Sequence, residues 1–226
     1  MLNLNGTKSA PKFFLKMKVL VIDNGTHYKK RLNGLLNRHR ITTISYKDIN
    51  PDLHQQDYDL IVLSGAYGGH AVKYGADDLL VHEQEFIRQA KIPVIGLCYS
   101  AQLIAYMYGA RLSRVPGGEK LKGIKLIWNV KRTPFDFFGY EGAKVWASQR
   151  WRITDLTDEL DCWCASAEGV EVFKHKTKPI YGLQFHPEHH TRNDDGRRIF
   201  KKIVEIELGE KIKSGTQQKT KVLAKV

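Results

Sequence analysis

At 226 residues, 42% hydrophobic and 27% charged, the chain can bury one sizeable core, which excludes a disordered or low-complexity protein. It holds no apolar run of the roughly eighteen residues a membrane span needs, and "FFL" (Phe13 to Leu15), set between lysines, is too short for a secretory leader. The net charge of +12 suggests nucleic acid, but residues 1–18 carry four lysines and no acid and residues 197–226 carry a net +6, so a solvated surface and basic ends are the expected reading and nucleic acid is not an expected partner.

After an extension over residues 1–16, the body of the chain begins at Met17. "KVLVID" (Lys18 to Asp23) has the pattern of a buried strand, and "HYKKRLNGLLNRH" (His27 to His39) follows at helical spacing. "ITTISY" (Ile41 to Tyr46) predicts a second strand and "YDLIVLSG" (Tyr58 to Gly65) a third, ending in the glycine-bearing loop "SGAYGGH". "DDLLVHEQEFIRQA" (Asp77 to Ala90) predicts a helix with acids in its first turn. "IPVIGL" (Ile92 to Leu97) is a short β-branched run, and "YSAQLIAYMY" after it places Leu103, Ile104, Met107 and Tyr108 at helical spacing before Gly109. Alternating strands and helices predict a doubly wound α/β fold with a mainly parallel sheet.

Beyond Gly109 the pattern changes. "GIKLIWNV", "AKVWASQRWRI", "DCWCASA", "VEVFKHK" and "PIYGLQFHP" are strand-like runs between turn signals, which predicts an added antiparallel portion. A last helix is expected from Asp195 to Leu208, with Ile199, Ile203 and Ile206 facing inward. Residues 209–226 are basic and polar and read as a mobile tail.

The chemistry concentrates at two places. Cys98 stands where a buried strand gives way to a helix, so unpaired N–H groups and the positive end of the helix dipole favour a thiolate. A nucleophile at the apex of such an elbow is lifted out of the sheet, and the next backbone N–H is aimed at the same reaction point. The alternative is a small buried hydrophobe. Cys98, Cys162 and Cys164 form an odd set without framework spacing, which suits a reducing cytoplasm. "YGLQFHPEHH" supplies a base, His186, and a carboxylate, Glu188, that can hold the far ring nitrogen across the stiff Pro187. His189 and His190 extend the run, but a third and fourth ligand are lacking, so no metal is expected.

Together these stretches resemble the class I glutamine amidotransferases, the triad glutaminases, over roughly residues 18 to 208. "GLCYSAQ" and "YGLQFHPE" carry the resemblance, in the family's order and separation. It implies a flavodoxin-like domain over residues 17–208 that hydrolyses glutamine through a cysteine thioester, with Cys98, His186 and Glu188 as the catalytic set. The oxyanion donors are then the N–H of Tyr99 and that of Ala66. Gly65, Gln102, Ser148, Gln149 and Arg150 fall where the family holds its substrate. The nearest subgroup in pattern is the amidotransferase subunit of a split GMP synthase, for which "KVWASQRWRIT" and "GGEK" (Gly117 to Lys120) also speak. The chain has no phosphate-binding P-loop, so no cofactor is expected in it, and ATP and Mg belong to a separate synthetase subunit. A stand-alone γ-glutamyl hydrolase and a non-catalytic regulatory module of the same fold are the alternatives.

Three departures stand out. The family's Ser-Gly-Gly-Pro loop is here Ser64-Gly65-Ala66-Tyr67, and a methyl at Ala66 conflicts with any turn that needs a positive φ. The elbow glycine two residues after the cysteine is Ser100. Both changes fall where the oxyanion hole forms and predict a loop misaligned until a partner docks. Gln149 and Arg150 replace a histidine and a glycine, and Arg150 either obstructs the pocket or pairs with the substrate carboxylate or a partner.

Overall fold

The computed structural model describes residues 16–50, 53, 55–67, 78–135, 142–189, 191 and 194–207. All but one residue of the expected N-terminal extension, the whole basic tail and His190 lie outside them.

Five parallel strands form the centre: β1 (Lys18–Asp23), β2 (Arg40–Ser45), β3 (Leu60–Leu63), β4 (Val94–Leu97) and β11 (Ile180–Leu183), ordered β2-β1-β3-β4-β11. Alternate residues feed opposite faces. Val19 and Val21 join a core covered by α1 (Lys29–Leu36) and by a last helix, α4, over residues 196–207, whereas Leu20 and Ile22 join one covered by α2 (Asp78–Arg88) and α3 (Tyr99–Met107). Burial on both sides is why these strands read as unbroken apolar runs. The fold is the flavodoxin-like one that the sequence predicts.

The antiparallel part comprises β5 (Arg111–Arg114), β6 (Leu121–Asn129), β7 (Ala143–Gln149), β8 (Trp151–Asp155), β9 (Leu160–Ser166) and β10 (Gly169–His175). It continues the sheet as β11-β10-β9-β6-β7, while β8 pairs with β10 and β5. A buried Lys125–Glu171 ion pair at 2.5 Å, with Ser166 donating to the same carboxylate, links three of these strands. The continuous run "AKVWASQRWRI" is two strands broken at Arg150, because β7 pairs with β6 and β8 turns away to β5 and β10. The charged strand β5 gave no apolar signal and is missing from the sequence reading. On β6, Ile124, Leu126 and Trp128, followed by Val130, leave an exposed apolar row.

Candidate active site

The register brings the two sequence signatures together. Leu97 of β4 pairs with Leu183 of β11, and Leu63 of β3 pairs with Gly96. Cys98, the Gly65 loop and the turn bearing His186 therefore leave the C-terminal ends of three adjacent parallel strands, where ligands of open α/β sheets bind.

Cys98 is buried and caps α3 with φ 50 and ψ −101, the one non-glycine positive φ among the described residues. A side chain held in so sparsely populated a region marks strain retained by its surroundings. What holds it is on both sides: its N–H donates to the Leu183 carbonyl at 2.7 Å, and its carbonyl accepts from Gln102 N at 3.1 Å. Gly96 lets α3 lie this close to β4, since a Cβ there would meet Ile104 Cδ1 at 2.6 Å and the Ser100 carbonyl at 2.9 Å. The thiol lies 3.9 Å from the Ser148 carbonyl, so β7 forms the facing wall.

His186 is anchored through its N–H to the Trp146 carbonyl at 2.9 Å, and its Nδ1 lies 2.8 Å from Glu188 Oε1, both side chains buried. Burial works against a charge on the imidazole, but the Cys98 thiolate and then the Glu188 carboxylate outweigh it and hold His186 well above the ordinary histidine range. The Nε2 makes no full hydrogen bond within the described residues. A buried thiol, an imidazole beside it and a carboxylate on the imidazole's other nitrogen are thus assembled, the arrangement that activates a nucleophile in triad enzymes.

The loop after β3 closes the site. A Cβ at Gly65 would come 3.3 Å from His186 Cε1 and 3.6 Å from Cys98 Cβ, so the backbone passes directly over both. Ala66 has no positive φ, and its methyl does not disturb the turn as the sequence suggested. Ser100 does not loosen the loop either: its buried hydroxyl donates to the Ser64 carbonyl at 2.7 Å and ties elbow to loop.

On the remaining wall, Gln149 is buried with neither its amide nitrogen nor its amide oxygen bonded among the described residues. Gln102 sits deeper than expected, its amide nitrogen donating to the Trp151 carbonyl at 2.8 Å and to Gln184 Oε1 at 3.2 Å. Arg150 is exposed at the bend between β7 and β8 and fills no buried pocket. His189 stacks flat on Trp146 with ring centroids 3.9 Å apart, and Tyr28 packs edge-on against both His186 and His189. Among the described residues no group of three or more His, Cys, Asp or Glu could hold a metal ion.

Sequence reading missed Asn24, Glu83, Tyr28 and Trp146 as contributors. Glu83 alone left a trace: an acid three, four and seven residues before Phe86, Ile87 and Ala90, on the face that α2 buries.

The class I glutamine amidotransferase family model matches residues 20–206, nearly the whole described body. The chain belongs to the class I glutamine amidotransferases. A glutamine-hydrolyzing GMP synthase subunit from Methanothermobacter thermautotrophicus is 30% identical over 192 residues, spanning 83% of this chain and 97% of that one. Its counterpart of the same name from Thermoplasma volcanium is 32% identical over 195 residues, spanning 84% and 92%. Among solved structures, a Thermoplasma acidophilum protein provisionally assigned as a GMP synthase subunit superposes with a TM-score of 0.71 at 25% identity, covering 88% of this chain and 98% of its own. A Thermotoga maritima glutamine amidotransferase shares the fold, with a TM-score of 0.61 at 22% identity and 85% coverage of both chains. This amidotransferase has no described helix long and apolar enough to cross a membrane.

Proposed function

We propose that this amidotransferase is the glutaminase subunit of a split GMP synthase, hydrolysing glutamine and passing ammonia to a separate ATP- and Mg-dependent synthetase subunit in the cytoplasm. The observation that carries the reading is the strained elbow at Cys98 set against a buried His186–Glu188 pair at 2.8 Å. The Cys98 thiolate attacks the carboxamide carbon of glutamine, and the N–H groups of Tyr99 and Ala66 receive the oxyanion. Two such donors are worth roughly a hundredfold to a thousandfold each. His186 passes its proton to the leaving nitrogen, ammonia departs and a γ-glutamyl thioester remains. Water that gives a proton to His186 then attacks the thioester, releasing glutamate and the thiolate, while Glu188 holds the ring tautomer throughout.

Gln149 supports glutamine as substrate, because a buried amide with unused donors and acceptor suits the α-amino and α-carboxylate groups. The apolar row on β6 supports a chain that works against a partner: Ile124 lies opposite Trp146 in register, and Trp146 stacks on His189 beside the site. The test is glutamate release by the isolated chain and by the chain mixed with a GMP synthase synthetase subunit, ATP, Mg and xanthosine monophosphate. Release that rises on mixing, with GMP formed, is expected. Full release alone and no response to the partner would favour a stand-alone γ-glutamyl hydrolase.

A further inference from the structure

Behind Cys98 a line of buried polar groups runs from α2 to the loop that covers the thiol. Asn24, at the end of β1, spends both hydrogens of its amide nitrogen: one on Glu83 Oε1 at 2.9 Å, one on Ser100 Oγ at 3.0 Å. Having accepted from Asn24, the Ser100 hydroxyl donates to the Ser64 carbonyl at 2.7 Å. The Ser64 hydroxyl accepts from Asn24 N at 2.9 Å and donates to the Gly65 carbonyl at 2.8 Å. All four side-chain-bearing residues are buried, and Glu83 is wholly so.

The last bond matters for the reaction. A trans peptide points its C=O and N–H in opposite directions. With the Gly65 carbonyl drawn back to Ser64, the Ala66 N–H is turned the other way, and it makes no hydrogen bond among the described residues. Gly65 itself passes over Cys98 and His186. A reversed peptide would present a carbonyl oxygen to the developing oxyanion and repel it.

We infer that Asn24, Glu83 and Ser100 are positioning residues that set the Gly65–Ala66 peptide with its N–H toward the reacting carbonyl. The inference rests on the glutaminase reading for its kinetic consequence. Glu83 is the anchor: as an acceptor it fixes which way the Asn24 amide faces, and Asn24 in turn fixes the Ser100 proton. Burial pushes the Glu83 carboxyl up to about 7 while the Asn24 bond pulls it back, so a neutral amide can take its place. Serine at position 100 is then a working part of the loop support.

The experiment compares Glu83→Leu, Glu83→Gln and Ser100→Gly by kcat and KM for glutamine, by melting temperature and by amide exchange over residues 64–67. Glu83→Leu and Ser100→Gly are expected to lower kcat by roughly tenfold to a hundredfold with KM within about threefold, and to speed exchange. Glu83→Gln keeps kcat within about threefold, because its amide oxygen still accepts from Asn24. Unchanged kcat in Glu83→Leu would overturn the inference, as would a glutamine variant as damaged as the leucine one, or a kcat that falls only with the folded fraction. Should the wild type release no glutamate either alone or with the synthetase subunit, ATP, Mg and xanthosine monophosphate, the glutaminase reading fails. The network is then decided by exchange alone, and unaltered exchange in Glu83→Leu and Ser100→Gly overturns it.

Discussion

The two sides of Cys98 are built differently. Behind it, Asn24, Ser64 and Ser100 satisfy one another through short hydrogen bonds, and Asn24 also donates to Glu83, whose second carboxylate oxygen is unbonded among the described residues. In front of it, both amide atoms of Gln149 are buried without a bonded partner among the described residues. Leaving a buried polar atom unpaired costs about 1–3 kcal/mol, a cost that a substrate bonding to the Gln149 amide would offset. The rear is a frame, and the front is a receptor. Mutations in front should change chemistry and substrate affinity, whereas those behind should change kcat through the loop.

The largest effect breaks the front outright. Cys98→Ala should abolish glutamate release, and His186→Ala should come close, each by roughly four powers of ten or more in a steady-state assay. Glu188→Ala should leave more, with a loss of about two to three powers of ten, because the base survives with a poorly held tautomer. Equal losses in His186→Ala and Glu188→Ala would mean that Glu188 does more than orient. Gln149→Ala is expected to raise KM for glutamine about tenfold with a smaller change in kcat, and Arg150→Ala to change both by less than threefold, read from the same progress curves. Those two variants sharpen the contrast on β7, since one side chain is buried at the site and the other exposed.

The smallest effect belongs to the rear and is one of stability. The Glu83 carboxyl is raised from 4.5 to about 7 in the folded chain. The fold therefore binds the proton more tightly than the unfolded chain does. The stability this confers is complete below about pH 4.5 and is lost as pH rises through about 7. A rise of two to three pH units corresponds to roughly 3 to 4 kcal/mol at most. Glu83→Gln, neutral at every pH, should melt close to wild type at pH 5 and above it at pH 8 by calorimetry. A wild-type advantage at pH 8 would show the carboxylate to be stabilised by the frame.

Much of this was legible in the chain. The parallel strands announce themselves because both faces are buried, as at "KVLVID", whose predicted limits Lys18–Asp23 are those observed. The elbow was legible because a buried apolar run meets a helical one at Cys98, whereas His186 and Glu188 stood out through the family resemblance of "YGLQFHPE", since chemistry alone fixes no chain order for such groups. The antiparallel half was harder. The charged strand β5 has a partly exposed pattern, and the break at Arg150 depends on which strands pair rather than on any local signal. The frame was hardest of all: Asn24, Glu83 and Ser100 come from three separate segments, and only the packing of α2 and α3 against β1 brings them together. Ser100 was read as a defect in the elbow because its partners lay 36 and 76 residues away.

The most direct test is covalent. A glutamine-like chloroketone needs both a reactive thiolate and a glutamine-shaped pocket. Peptide mass mapping after treatment at neutral pH should find one label per chain, on Cys98, with Cys162 and Cys164 unmodified; their thiols are pushed up by burial, that of Cys162 to about 11. Glutamine should slow the labelling, and His186→Ala should nearly stop it. Label spread over the three cysteines, or a Cys98 rate that glutamine does not change, would contradict the account.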